Sequence, residues 1–282
     1  MLITGGAGLL GRVLLATRPQ DVDGSLYATW RVRPAKWRKS VQIDLASRTS
    51  VEELFTSVRP SLVIHTAYSK VDGRRNIVDA TTNVTRAAKG TGAELIHISS
   101  DSVFGGGSGP YAEDDRPCPI NEYGALKAEA ETRIREEMPG ATIVRTSLIT
   151  SVSPLDPSSK WVADSLRAGK SVQLFVDELH CPIGVEDLAR AIWEIATLPS
   201  GQRQGVWHVV GPEAMSRYAL GLLIADHGDL DRDLIEPQFA AAHPQPRPRD
   251  VRLASSRATS LQHQPRTVSA LFGMSRTRHR SA

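Results

Sequence analysis

Hydrophobic and polar positions along the chain alternate between two textures. Short runs that are apolar throughout are separated by longer stretches in which apolar residues return at helical spacing. The run Leu2 to Thr4 leads into a cluster of glycines and then a helix pattern through Ala16. Residues 25–30, SLYATW, read as a strand and 41–45, VQIDL, as a short one. Ser50 with Glu53 has the spacing of a capping box for a helix through Val58. Residues 61–67 form a continuous apolar strand, 76–90 a helix and 93–99 the next strand. A Gly- and Pro-rich loop runs from Gly105 to Pro119. Residues 122–137, rich in Ala and Glu, predict a helix stopped by Pro139-Gly140, and 141–147 a further strand. Apolar strands alternating with helices predict an α/β fold with a doubly wound parallel sheet covered on both faces.

The texture changes after Ser151. A loop with two prolines precedes a helix at 159–168, a strand at 171–176, a helix at 185–197 and a strand at 205–210. Ser216 is placed to cap a helix that runs to His227, and a Pro-rich segment follows at 237–250. No clean linker separates the halves. The expected organisation is a first part, 1–150, and a smaller interleaved part, 151–272, closing over a ligand at the carboxyl edge of the sheet. Residues 273–282 read as a basic, flexible tail. Trp161, Trp193 and Trp207 fall on apolar faces and are expected in the core. His65 and His97 read as satisfied interior residues on their strands.

Composition narrows the class. The chain has 282 residues, 40% hydrophobic and 23% charged, which excludes collagen-like, coiled-coil and wholly disordered proteins. The two cysteines, Cys118 and Cys181, are far apart and form no CxxC, so a reducing cytoplasm is the expected compartment and no zinc site is expected. The histidines show no metal-ligand spacing. No apolar run is long enough to span a membrane, and the first residues read as no signal peptide. The net charge of +3 hides an asymmetry. From Arg247 onward there are eight arginines, no lysine and one acid, Asp250, whereas the rest carries more acids than bases. With only Phe272 as an aromatic in that tail, nucleic acid is not the expected partner; the arginines suit a phosphate-bearing substrate.

The first chemical motif is the loop 4–11, TGGAGLLG, with Gly5, Gly8 and Gly11 directly after a strand and opening a helix. Such glycines give a tight turn, a close approach of backbone amides to a pyrophosphate, and close packing of helix on strand. An acid about 20 residues further on would favour NAD, an arginine NADP. Here the second strand runs into Arg31, Arg33, Lys36, Arg38 and Lys39 with no acid between, which predicts NADP(H). Asp44-Leu45, after the next short strand, either places a carboxylate at an adenine amino group or is simply a turn at the strand end.

The second motif is Tyr123-x-x-x-Lys127 on the 122–137 helix, where i and i+4 share a face. A lysine beside a phenol favours its ionised form, and such a tyrosine exchanges a proton with a carbonyl oxygen during hydride transfer. Ser100, at the end of the preceding strand, is either a hydroxyl for the same oxygen or a turn residue at the strand end.

Taken together, these stretches resemble the extended short-chain dehydrogenase/reductases, and within them the dTDP-4-dehydrorhamnose reductase group. The likeness rests on TGGAGLLG at 4–11, VIHTAYSKVD at 63–72, HISSDSVFGG at 97–106 and YAEDDRPCPINEYGALKAEAE at 111–131. It continues through IVRTS at 143–147, VDELHCPIGVEDLARAI at 176–192, VWHVVG at 206–211 and RPRDVRLASSRA at 247–258. The resemblance implies a Rossmann-type fold and a reductase of a nucleotide-linked 4-keto-6-deoxysugar. Tyr123 would be the catalytic acid, Lys127 would hold the nicotinamide ribose and tune Tyr123, and Ser100 would steady the carbonyl oxygen. Gly5, Gly8, Leu9, Leu10 and Gly11 would line the pyrophosphate, with Arg31 at the 2′-phosphate. Thr66, Ala67 and Tyr68 would border the riboses, while Asp101 and Arg247 would face the sugar nucleotide. A homodimer is implied by the same analogy.

The departures from the family pattern lie on the substrate side. Ser102 stands where an aromatic is usual, Glu178 and Ile183 where Gln and Thr are usual, and Leu148 where Trp is frequent. Two other outcomes fit the same motifs: a nucleotide-sugar epimerase or dehydratase, and an NADP-binding regulatory subunit without turnover.

Overall fold

The alternation of strand and helix closes into one large parallel sheet and a second, smaller core. The computed structural model describes residues 1–20, 25–107 and 109–279. The first half runs β1 (Leu2–Thr4), α1 (Leu9–Ala16), β2 (Tyr27–Trp30), β3 (Ser40–Gln42), α2 (Arg48–Val58) and β4 (Leu62–His65). A π-helical stretch, Arg74–Asp79, passes into α3 (Ala80–Thr91), followed by β5 (Glu94–Ser100), α4 (Glu122–Glu137) and β6 (Thr142–Thr146). The second half continues β7 (Ile149–Thr150), α5 (Pro157–Arg167), β8 (Val172–Phe175), β9 (Leu179–His180), β10 (Ile183–Gly184) and α6 (Val185–Thr197). It ends α7 (Ser200–Arg203), β11 (Gly205–His208), β12 (Met215–Ser216), α8 (Arg217–Gly228), β13 (Ile235–Gln238) and α9 (Val268–His279).

Seven strands pair in the order β11-β6-β5-β4-β1-β2-β3, all parallel. The chain winds outward in opposite directions from β1, so a crevice opens at the carboxyl ends of β1 and β4. Strand alternation explains the two covered faces. Ile3, Ile64, Ile96 and Val144 pack with Leu14 of α1 and Leu188 and Ile192 of α6. Their neighbours Leu2, Val63, Leu95 and Ile143 point the other way, onto Phe55, Val84 and Ile134 of α2, α3 and α4. Within the second half, β11 and α6 join this main sheet, whereas α5, β8, α8 and β13 enclose a separate core around Val162, Leu174, Leu220 and Ile235. Among the described residues no helix is long and apolar enough to cross a membrane.

Four local expectations change. The cap of α2 is Ser47, whose Oγ accepts from Ser50 N at 3.4 Å; Ser50 is therefore inside the helix. A turn causes this: Asp44 takes Ala46 N on its side chain and Ser47 N on its carbonyl, which ends β3 at Gln42 and starts α2 early. Trp193 and Trp207 are buried, but Trp161 is 56% exposed, because α5 turns Val162, Ala163 and Leu166 inward instead. The Pro-rich segment begins as a strand, β13, paired parallel with β8; a proline is tolerated in an edge strand. Of the expected tail, residues 280–282 lie outside the described residues, and the backbone of α9 extends to His279.

Candidate active site

A cavity of about 1350 Å³ lies at the carboxyl edge of the sheet. That exceeds the range of roughly 300–1,000 Å³ common for one small ligand, and leaves room for two. It brings together the glycine loop (Gly5, Gly8, Leu9, Leu10, Gly11), the basic and acidic ends of β2 and β3 (Arg31, Asp44, Leu45), and the turn after β4 (Thr66, Ala67, Tyr68). Ser100, Asp101, Tyr123, Lys127 and Arg247 line its other end.

At the glycine loop, Gly5 has φ +72°, a left-handed turn that a side chain would strain. A Cβ on Gly11 would stand 2.2 Å from the Gly5 carbonyl oxygen, so α1 can lie this close to the loop only with glycine there. Gly8 caps α1 with no side chain bound over the first amides, which leaves the helix N-terminus open to an anion. Thr66 Oγ1 donates to the Thr4 carbonyl at 2.7 Å and lays the Thr66–Ala67 turn against Gly5.

Arg31 is exposed at the cavity wall and donates to Asn76 Oδ1. Asp44 accepts from Arg75 Nη2 at 2.6 Å and from Ala46 N, which hold its carboxyl below the usual range despite the opposing effect of burial. The carboxylate is therefore already paired. Asn83 Nδ2 supports the Leu45 carbonyl at 3.1 Å.

Tyr123 and Ser100 come together because α4 starts against the turn that follows β5. Asn121 caps α4 through its Oδ1, which accepts from Gly124 N at 2.8 Å. A Cβ on Gly124 would fall 2.0 Å from the Ser102 carbonyl oxygen, so glycine allows the approach. Burial pushes the Tyr123 phenol well above its usual value; Tyr68 and Asp101 add to this, and a hydrogen bond with Ser100 opposes it. The expectation that Lys127 lowers this value does not hold. The Lys127 ammonium donates instead to the Ile98 carbonyl at 2.6 Å and to His97 Nε2 at 3.3 Å. Burial lowers Lys127 itself to about 8.

The two strand histidines lie beneath this site. Thr4 Oγ1 and Thr81 Oγ1 satisfy the two ring nitrogens of His65, and burial brings its pKa to about 3. His97 departs from its expected role as a fully satisfied residue. Its Nε2 meets Lys127 and its buried Nδ1 has no hydrogen-bond partner among the described residues.

Sequence reading missed the pair that fixes α4. Glu131, one turn after Lys127, is fully buried and binds Arg145 of β6, itself 1% exposed, at 2.9 Å. Ser99 Oγ donates to the same carboxylate at 2.6 Å. A charge in the helix and another in a strand read as apolar were the only available signals.

The far end of the cavity is a chain of charges. Asp101 Oδ2 accepts from Ser147 Oγ at 2.6 Å and from His180 Nδ1 at 2.8 Å. The other ring nitrogen of His180 is buried, 4.0 Å from Glu178 Oε2, too far for a hydrogen bond. Glu178 holds Arg247 through both its oxygens, the Nη2 contact being 2.9 Å. Burial alone would raise Glu178, but His180, Arg247 and Arg217 overcome it and bring the carboxyl to about 2. Arg247 thus reaches the expected cavity, but its guanidinium is already clasped. Ser102, Leu148 and Glu178 line the same cavity; Ile183 is buried under the sheet, away from it.

Comparison with known proteins places the chain among relatives of this geometry. The family model described as RmlD substrate binding domain matches residues 1–269. The chain is 30% identical over 280 residues to methionine adenosyltransferase 2 subunit beta of Bos taurus, covering 93% of this chain and 82% of that protein. It is 32% identical over 263 residues to the probable low-salt glycan biosynthesis reductase Agl14 of Haloferax volcanii, covering 88% and 87%. A hypothetical dTDP-4-dehydrorhamnose reductase from Sulfolobus tokodaii superposes with a TM-score of 0.80 at 29% identity, covering 95% of this chain and 96% of that one. Other solved structures of this fold are complexes with NADP or with NAD.

Proposed function

The chain belongs to the RmlD substrate binding domain family, and on that premise we propose that it is an NADPH-dependent reductase of a nucleotide-linked 4-keto-6-deoxysugar. The observation that carries this reading is the juxtaposition of Tyr123 and Ser100 in a cavity that also contains the glycine loop. The cradle fits a dinucleotide. Gly5 and Gly11 leave space that a Cβ would fill, the N-terminus of α1 is open, and the exposed Arg31 at the wall of the same cavity supports a preference for a cofactor with a 2′-phosphate. A bound nicotinamide supplies hydride to the sugar carbonyl carbon.

The chain's own residues manage the proton. A phenol pushed up by burial stays protonated at neutral pH, which suits a donor to carbonyl oxygen better than a base. Ser100 offers a hydroxyl to the developing negative charge on that oxygen. Lys127, anchored by the Ile98 carbonyl, presents an ammonium to the ribose side of the cleft. The cavity residues Ser102, Leu148 and Glu178 differ from the family pattern, so the sugar accepted is expected to differ from the rhamnose precursor.

A second reading is a cofactor-binding subunit of another enzyme, favoured by the likeness to an adenosyltransferase beta subunit. An epimerase or dehydratase of the same fold is the third. All three separate in one assay: NADPH oxidation against a panel of dTDP-4-keto-6-deoxyhexoses that includes both C5 epimers, with NADH in parallel. The reductase reading expects net NADPH consumption, slower with NADH, and a fall of roughly 10²–10⁴-fold in Tyr123→Phe with cofactor still bound. Sugar conversion without net NADPH loss moves the protein to the epimerases or dehydratases. Cofactor binding with no conversion, indifferent to Tyr123, moves it to the subunits.

A further inference from the structure

Three cations converge on the end of the cavity away from the glycine loop. Lys70 Nζ lies 4.7 Å from the centroid of the Tyr123 ring, and among the described residues no carboxylate pairs with it. Arg217, the first residue of α8, lines the cavity, and its buried Nε makes no hydrogen bond. The nearest carboxylate to that atom is Glu178, at 3.5 Å. Arg247 is the third, clasped by Glu178 through Nε and Nη2 and stacked 4.8 Å from the Phe175 ring centroid. The other acid here, Asp101, is taken by Ser147 and His180. After burial, the guanidinium groups of Arg217 and Arg247 are what lower the Lys70 ammonium, and Arg247 acts in the same direction on Arg217. Against the three stand Glu178, which clasps Arg247, and Asp101, which also faces Arg217 but is held by Ser147 and His180, so among the described residues Lys70 and Arg217 Nε are left without a hydrogen-bonded carboxylate in a concave site.

We propose that Lys70 and Arg217 form the anion subsite that holds the diphosphate of the nucleotide-linked substrate, with Arg247 fixed by Glu178 as its wall. This rests on the function proposed above and adds Lys70 and Arg217 to the expectation that Asp101 and Arg247 face the sugar nucleotide. A diphosphate joined to a nucleoside and a sugar carries about two negative charges, and Lys70 and Arg217 are two cations that no carboxylate hydrogen-bonds among the described residues. The cofactor phosphates have a separate seat at the N-terminus of α1 and Arg31, across the cavity. The position of Lys70 over the Tyr123 ring places the anion beside the proton donor, so binding the diphosphate also sets the distance of the sugar carbonyl from the phenol. Remote charge is thereby used for orientation. Lys70 sits in the turn after β4 and Arg217 at the start of α8, so the subsite spans the main sheet and the second core.

The test is calorimetric titration of the full chain, saturated with NADP⁺, with dTDP, UDP, GDP, thymidine and inorganic pyrophosphate. At least one nucleoside diphosphate is expected to bind, with thymidine far weaker, and the affinity is expected to fall with salt. Lys70→Gln and Arg217→Gln should each weaken that binding by about tenfold or more, with Arg217→Lys recovering part of the loss and NADP⁺ affinity unchanged in all three. The proposal is overturned if no nucleoside diphosphate binds, if the Gln variants bind it like the parent, or if they weaken NADP⁺ equally. Nucleoside diphosphate binding that depends on Lys70 and Arg217, in a chain that consumes no NADPH with any ketosugar, sinks the reductase reading and keeps the subsite. Turnover indifferent to both substitutions does the reverse.

Discussion

Gly124 shows how a single hydrogen in place of a methyl sets the chemistry. A Cβ there would lie 2.0 Å from the Ser102 carbonyl oxygen, and backbone cannot yield as a flexible side chain can. Gly124→Ala must push the start of α4 away from the turn at Ser100–Ser102 and carry Tyr123 with it. The expected result is a destabilisation of about 1–3 kcal/mol in urea unfolding and, on the reductase reading proposed above, a larger loss in the rate of NADPH oxidation than in NADPH affinity, read by turnover assay and by NADPH titration. Unchanged kcat would show that the Tyr123–Ser100 approach does not matter. At this scale the sequence was half legible. The i, i+4 spacing of Tyr123 and Lys127 is a local property of a helix, so both residues could be found. The direction of the Tyr123 shift could not, because it comes from burial and from Tyr68 and Asp101, which only folding brings near. Lys127 likewise was expected at the phenol and is found on Ile98 and His97.

Helix α4 is the element on which the site depends, and its position is held by a buried ion pair. Glu131 binds Arg145 of β6 and Ser99 of β5, with Arg135 one turn on at 2.9 Å. Such a pair need not add stability over an apolar pair, but removing one partner leaves a buried charge alone. Glu131→Gln is expected to cost about 3 kcal/mol or more in urea denaturation, and a variant with unaltered midpoint would contradict that role. The boundaries of α4, 122–137, and of α6, 185–197, follow from the sequence with no shift. In both, the stop and start signals are local: Asn121 and Pro139 for α4, Gly184 for α6. The boundary of α2 did not follow. Ser47 and Ser50 are both residue types that can cap a helix, and the Asp44 turn decides between them. The two-residue strands β7, β9, β10 and β12 had no periodicity to read; they exist because their partners pass alongside.

At the scale of the molecule, the two cores are tied by the chain from Asp101 through His180 and Glu178 to Arg247. All three members nearest the interior are 3% exposed or less. Glu178 lies at about 2, below its ordinary 4.5, so its contribution is complete above that ordinary value and is lost as pH falls toward 2. His180 shifts the opposite way. Burial opposes its charge, but Asp101 and Glu178 raise it above 6.5, so its contribution is complete below that value and is lost as pH rises through the raised one. The connection is therefore strongest between about 4.5 and 6.5. Urea midpoints at acid, mildly acid and alkaline pH should show a smaller acid-side decline in Glu178→Gln than in the parent. Equal declines would mean that Glu178 is not held by this network.

The sequence by itself determined the parallel sheet, the glycine loop that opens α1, the basic end of β2 and the tyrosine–lysine face of α4. Each is a matter of periodicity or spacing within a few residues, and backbone geometry alone turns such spacing into position. The tertiary structure decided what those groups do. Arg247 lies far along the chain from Glu178, and Lys70 from Arg217; no local pattern tells which cation meets a carboxylate and which is left for a ligand. Charge pairing and desolvation act through space, and in this fold the space is set by a sheet that brings the ends of β4, β5 and β6 to one cavity and by a second core that closes its far side.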